Sequence, residues 1–132
     1  MQLIRVLLVD DSLEFLDAAV RYLSSYPKLI VVGSSHTGLE ALEQVKQLNP
    51  DLVLMDLALP GMSGLETTRL IKAHPDSPRV IILTLHDNPE YRTASESVNA
   101  DGFLDKSDFG VELLPLIHAL FELEPVQKPI AI

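Results

Sequence analysis

Residues 4–12 read Ile4-Arg5-Val6-Leu7-Leu8-Val9-Asp10-Asp11-Ser12, an almost unbroken apolar run of strand length that stops on two carboxylates. A run without polar alternation suits a strand buried on both faces of a parallel sheet. Similar runs recur at Leu29–Gly33, Leu52–Met55, Val80–Leu83 and, shorter, Gly102–Leu104. Between them, apolar residues fall at helical spacing. Leu13, Leu16, Ala19, Val20 and Leu23 follow Ser12, whose hydroxyl suits an N-cap, and Leu39, Leu42, Val45 and Leu48 precede Asn49-Pro50, which stops a helix. A third helix is predicted over Leu65–Ala73, ending before His74-Pro75, and a fourth, more polar, over Pro89–Val98. A fifth should begin after Ser107 or Asp108 and run to about Glu122. Strands and helices in this alternation predict an α/β protein built from βα units around a parallel sheet.

Pro115 breaks the last pattern, because proline removes a backbone donor and crowds the carbonyl four residues earlier, so this helix should start late, near Glu112, or kink. From Glu124 the chain carries Pro125 and Pro129 without periodicity, which divides it into one domain, residues 1–123, and a tail or linker stub, residues 124–132.

With 132 residues, 47% of them hydrophobic, the chain has enough apolar side chain for one core. Its 19 acidic and 10 basic residues give a net charge of −9, which repels phosphate backbones and anionic lipid, so neither nucleic-acid binding by this chain alone nor a membrane surface is expected. Cysteine is absent, which excludes disulfides and thiolate metal sites, and no apolar run approaches the ~20 residues that span a bilayer. The first residues lack the regions of a secretory signal, so a cytoplasmic protein is expected. His36, His74, His86 and His118 lack metal-ligand spacing, and no glycine-rich nucleotide fingerprint is present.

In an open parallel sheet, side chains that can share a site follow the carboxyl ends of the strands. Asp10 and Asp11 follow the first strand, Asp56 the third, Thr84 the fourth and Lys106 the fifth. Singly, each has an ordinary role: an aspartate pair favours a helix N-terminus, Asp56 precedes a Pro-Gly turn, Thr84 ends a strand, and a lysine is usually solvated. Together they bring three carboxylates, a hydroxyl and an ammonium to one edge. Crowded carboxylates must take up protons or bind a cation. All-oxygen ligation favours a hard ion such as Mg²⁺, which binds through one or two carboxylates and shares its other positions with water and phosphate oxygens. That chemistry suits phosphoryl transfer onto Asp56, with Lys106 as a second positive point and Thr84 as a hydrogen-bond donor.

At Arg5-Val6-Leu7-Leu8-Val9-Asp10-Asp11, at residues 51–64 from Asp51 through Asp56 to Ser63-Gly64, and at Gly102-Phe103-Leu104-Asp105-Lys106, the chain resembles the response-regulator receiver domains of bacterial two-component systems. The phrase from Met55 to Glu66 is most similar to receivers of the LuxR-type helix-turn-helix subgroup. The resemblance implies a flavodoxin-like (βα)5 sheet in order 2-1-3-4-5. It makes Asp56 the phosphoacceptor and places Mg²⁺ on Asp11, Asp56, the backbone carbonyl of Ala58 and nearby Asp10. Thr84 and Lys106 would contact the phosphoryl group, and Thr84 and Phe103 would form the switch. Ala58 and His86 occupy the positions that tune dephosphorylation.

The partners implied are a sensor histidine kinase or phosphotransfer protein, and a homodimer through the last helix face. Three positions depart from the family pattern. Phe103 has no phenolic oxygen, Ser107 stands where many relatives have proline with a cis peptide, so a trans bond is expected, and Pro115 sits in the helix of the output surface. A phosphohydrolase would need a carboxylate two residues after Asp56, where Ala58 stands, so a signalling switch with at most slow self-hydrolysis is expected rather than an enzyme. The alternative is an interaction module of the same fold that acts without phosphorylation.

Overall fold

The computed structural model describes residues 3–121. The elements alternate: β1 Ile4–Val9, α1 Leu13–Ser24, β2 Leu29–Ser35, α2 Gly38–Leu48, β3 Leu52–Asp56, α3 Gly64–Lys72, β4 Arg79–Thr84, α4 Pro89–Ser97, β5 Gly102–Asp105, a 3-10 turn Lys106–Asp108, and α5 Phe109–Phe121. The strands form one parallel sheet in the order β2-β1-β3-β4-β5, the flavodoxin-like arrangement the resemblance implies. Strand positions match the expectation to within one or two residues, and the last turn of the first helix is one residue longer than its apolar pattern. The expected helix end at Glu122 and the tail of residues 124–132 lie outside the described residues.

Alternation of side chains across the pleat splits the core in two. Val6, Leu8, Leu52, Leu54, Ile81 and Leu83 face Leu16, Ala19 and Leu23 of α1 and Leu113 and Ile117 of α5. Leu7, Val9, Val53, Met55, Val80 and Ile82 face the other way, toward Ala41 of α2 and Ile71 of α3. The inner strands are thus apolar on both faces, which explains their unbroken Val/Ile/Leu composition.

Caps set the helix entries. Ser12 Oγ accepts from the Phe15 N–H at 3.3 Å, Thr37 Oγ1 from Glu40 at 3.1 Å, Ser63 Oγ from Glu66 at 3.1 Å and Asn88 Oδ1 from Tyr91 at 2.8 Å. Each satisfies an otherwise orphaned donor and contributes about 1 kcal/mol. Asn49 ends α2 in the left-handed region at φ 46°. The polar α4 forms behind its Asn88 cap and Pro89, but Ser95 is its only buried residue, so it is the helix least anchored to the core.

Pro115 does not delay the last helix. α5 begins at Phe109, directly after Asp108 as its apolar pattern predicts, so the late start near Glu112 is not taken, and the helix continues through the proline. The reason is burial: Phe109, Leu113 and Ile117, four residues apart, form one apolar face against the sheet. Pro115 lies on the exposed side, where water can serve the Val111 carbonyl that loses its partner, Val111 itself being 79% exposed.

One glycine fixes the geometry at the carboxyl edge of the sheet. A Cβ on Gly64 would lie 2.0 Å from the Asp56 carbonyl oxygen, so the first turn of α3 can pack onto the end of β3 only without a side chain. Gly64→Ala should lower stability by roughly 2–4 kcal/mol, read as a lower urea midpoint at unchanged slope. A midpoint equal to that of the wild type would show that the contact relaxes freely.

Candidate functional site

Parallel pairing brings the strand ends level: Val9 is opposite Met55, Asp56 opposite Leu83, and Thr84 opposite Asp105. The residues that follow therefore meet at one edge. Carboxylate oxygens of Asp10, Asp11 and Asp56 all lie within 4.8 Å of one another. Asp10 is 2% exposed and Asp56 5%, while Asp11 opens to solvent. Asp10 Oδ1 accepts the Ser12 N–H at 2.8 Å, which ties the first carboxylate to the start of α1.

Lys106 enters from the turn after β5. Its Nζ lies 2.6 Å from Asp10 Oδ2 and 3.4 Å from Asp56 Oδ1, with 9% of the side chain exposed. One ammonium cannot balance three carboxylates. Burial pushes the Asp56 carboxyl up to about 6, helped by the charge of Asp10 and opposed by Lys106 and by the Ala58 N–H. Asp10 Oδ2 is buried and meets Lys106 as an ion pair without hydrogen-bond alignment. A buried acceptor left undirected, in a set of oxygens this close, fits a small hard cation with metal–oxygen distances of about 2.1 Å.

The remaining predicted residues lie at or beyond the ends of β3 and β4 and within β5. Thr84 is buried at the end of β4, and its Oγ1 accepts the His86 N–H at 3.0 Å, so the hydroxyl is engaged with its own loop. His86 is exposed in that loop, and Ala58 is exposed after β3. Phe103 is half-buried on the α2/α3 side of the sheet, where the Arg92 guanidinium sits 4.7 Å from its ring centroid. Arg92 in turn donates to both oxygens of Asp87 at 2.7 Å. All peptide bonds of the described residues are trans, including the one after Lys106.

Three contacts were not read from the sequence. Arg92 covers Phe103; Asp105 Oδ1 accepts both the N–H and the hydroxyl of Ser107, at 2.9 and 2.8 Å; and the Phe15 ring lies under Lys106, 4.4 Å from Nζ to centroid. Phe15 had only a partial signal: it lies in the first turn of α1, just after the Asp10-Asp11 pair, but its partner Lys106 is on another element. Arg92 had none, because its place in α4 says nothing of Phe103 in β5. An open cleft of about 820 Å³ lies elsewhere, lined by Leu42, Val45, Leu70, Ile71 and the Pro75–Pro78 loop, and shares no residue with the carboxylate cluster.

Residues 6–117 match the model of the response regulator receiver domain, and the chain belongs to that family. Among curated relatives, it is 36% identical over 120 residues to the response regulator GacA of Pseudomonas viridiflava, covering 90% of this chain and 56% of that one. It is 32% identical over 113 residues to the nitrate/nitrite response regulator NarL of Escherichia coli K12, covering 86% and 52%. The chain thus spans about half the length of the curated relatives it matches. Among solved structures, a LuxR-family response regulator from an Aurantimonas species superposes with TM-score 0.86 at 30% identity, covering 97% of this chain and 91% of that one. The receiver domain of NarL from Mycobacterium tuberculosis gives 0.86 at 29%, covering 94% and 100%. These relatives support the LuxR-type subgroup, and no described helix is long and apolar enough to cross a membrane.

The raised Asp56 carboxyl has a signed consequence. Its folded value, about 6, exceeds the ordinary 3.8, so the folded state holds its proton more tightly than the unfolded chain does. Stability from this group is present below 3.8 and is lost as pH rises through about 6. Without divalent cation, Asp56→Asn should therefore melt higher than the wild type at pH 7, and the gap should close below pH 4. Equal melting temperatures at pH 7 would remove the charge crowding.

Proposed function

We propose that this chain is a phosphoacceptor: Asp56 takes a phosphoryl group from a phosphohistidine on a sensor kinase or phosphotransfer protein, with Mg²⁺ held by Asp10, Asp11, Asp56 and the Ala58 carbonyl. The observation that carries the reading is a buried carboxylate, Asp56, placed among two other aspartates and an ammonium at the open edge of a receiver fold. A module that kept the fold only for protein contacts would gain nothing from burying Asp10 and Asp56 beside a lysine, because such burial costs stability.

In the step proposed, an Asp56 carboxylate oxygen attacks phosphorus in line. The new O–P bond forms as the P–N bond to the donor imidazole breaks, and the imidazole leaves with the electron pair. Mg²⁺, when bound, neutralises phosphoryl oxygens and allows the carboxylates to approach one another. Lys106 would add a second positive charge, largely desolvated and 3.4 Å from Asp56 Oδ1. Thr84 can donate its hydroxyl to the transferred group after turning away from the His86 loop. Since Ala58 offers no acid or base, hydrolysis of the acyl phosphate is left to water at the position that Ala58 and His86 flank, and the chain acts as a switch with slow self-hydrolysis.

Signalling in this reading is a shift between two packings. Movement of Thr84 toward the phosphoryl group pulls on the His86-Asp87 loop, to which Arg92 is paired, and so loosens the guanidinium from Phe103. The weakly anchored α4 is the element able to follow. Joined to the further half that its longer relatives possess, the domain would pass this change on, and the exposed Val111 side of α5 is the face offered to a second copy. The same reading puts the chain in the cytoplasm.

Incubation with a small acyl-phosphate donor, followed by intact mass or a phosphate-affinity gel, tests the assignment. One phosphoryl group should add only with Mg²⁺ present, Asp56→Asn should remain unmodified, and Lys106→Ala should react about 100-fold more slowly. Modification that persists in Asp56→Asn would move the acceptor to another residue.

A further inference from the structure

Lys106 and a cation want the same oxygens. The ammonium is held by Asp10 Oδ2 and Asp56 Oδ1, and those two carboxylates also belong to the cluster that fits a hard ion. An ion entering the cluster weakens both ion pairs, and a lysine side chain released from its anions has four flexible carbon–carbon torsions and a strong preference for water. Lys106 therefore needs a contact with which a cation does not compete.

Phe15 supplies one. Its ring centroid lies 4.4 Å from Lys106 Nζ, within the range where an ammonium is attracted to the negative face of an aromatic ring. The ring is itself oriented: Phe109 packs against it edge to face, with centroids 5.4 Å apart and planes at 79°, and Tyr22 packs on Phe109 at 5.2 Å. Tyr22 is fixed in turn by its hydroxyl, which donates to the Gly110 carbonyl at 3.0 Å. The aromatic cluster thus ties α1 to the start of α5 and presents one π face to the lysine. From the backbone side, Asp105 holds the residue after the lysine through the Ser107 N–H and hydroxyl.

We infer that Phe15 is a positioning residue for Lys106, holding the ammonium at the edge of the site by its ring face when the carboxylates are drawn to a cation. The inference rests on the proposed phosphoacceptor role only for its kinetic consequence; the geometry stands independently of it. A leucine at this position keeps apolar volume for the core but has no quadrupole, whereas a tyrosine keeps the ring.

Two measurements test it. In proton NMR of the wild-type protein, the Lys106 ε-methylene should be shifted upfield by the Phe15 ring current, and should remain so on addition of Mg²⁺. A resonance at the ordinary lysine position in either state would overturn the inference without reference to phosphorylation. In the second measurement, at saturating Mg²⁺, folded Phe15→Leu should take the phosphoryl group from a small acyl-phosphate donor about tenfold more slowly than the wild type, and Phe15→Tyr should recover most of that rate. Phe15→Leu within twofold of the wild type, or Phe15→Tyr as slow as Phe15→Leu, would refute the role of the ring. A wild type that takes up no phosphoryl group would instead refute the phosphoacceptor reading and leave the ring-current result standing.

Discussion

Asp10 and Asp56 are buried where the sheet ends, with the partly buried Lys106 paired to both, and the charges do not balance. Much of the chemistry proposed for the domain descends from that imbalance. Two buried carboxylates beside a third repel one another, a single ammonium offsets part of the repulsion, and the remainder appears as an Asp56 that holds its proton up to about pH 6. A site in this condition is poised to accept positive charge. It is also unstable relative to a neutral alternative, which is the usual cost of a functional group kept away from water.

The fold makes the crowding tolerable by making it rigid. β1 and β3 are neighbours at the centre of the sheet, apolar on both faces, and their register leaves Asp10 and Asp56 side by side with little freedom to separate. Gly64 lets α3 close directly onto the Asp56 backbone. The Ser12 N–H fixes Asp10 through a short local hydrogen bond, as an aspartate at the start of a helix is suited to do. Against this stiff centre, the periphery is loose: α4 buries one residue, and Arg92 spans from it to Phe103 and Asp87 by contacts largely at the surface, each of modest strength. Rigidity lies where charge must be held and softness where a change must be transmitted.

The strands and the carboxylate cluster were legible in the sequence because both depend on local pattern. A two-sided strand is an unbroken run of Val, Ile and Leu, and a residue that follows such a run must lie at the carboxyl edge whatever the rest of the chain does. Ser12 announces the start of α1 by the same local logic. Pro115 left a late start or a kink open, and the late start is not taken for the complementary reason. Its cost is local and visible, whereas the burial of Phe109, Leu113 and Ile117 that outweighs it comes from packing against distant strands. Contacts between elements were the least legible. Nothing in the spacing of Arg92 and Phe103, or of Phe15 and Lys106, predicts that a cation will rest on a ring, because the meeting is made by the tertiary fold.

Crystals grown with Mn²⁺ in place of Mg²⁺ test the central claim most directly, because the anomalous signal locates the ion without reference to any assumed ligand. One strong peak is expected among the carboxylates of Asp10, Asp11 and Asp56, about 2.1–2.2 Å from its oxygen ligands, with Lys106 Nζ displaced from Asp10 but still over the Phe15 ring. A peak elsewhere on the surface, or an empty cluster in which Lys106 keeps both carboxylates, would contradict it.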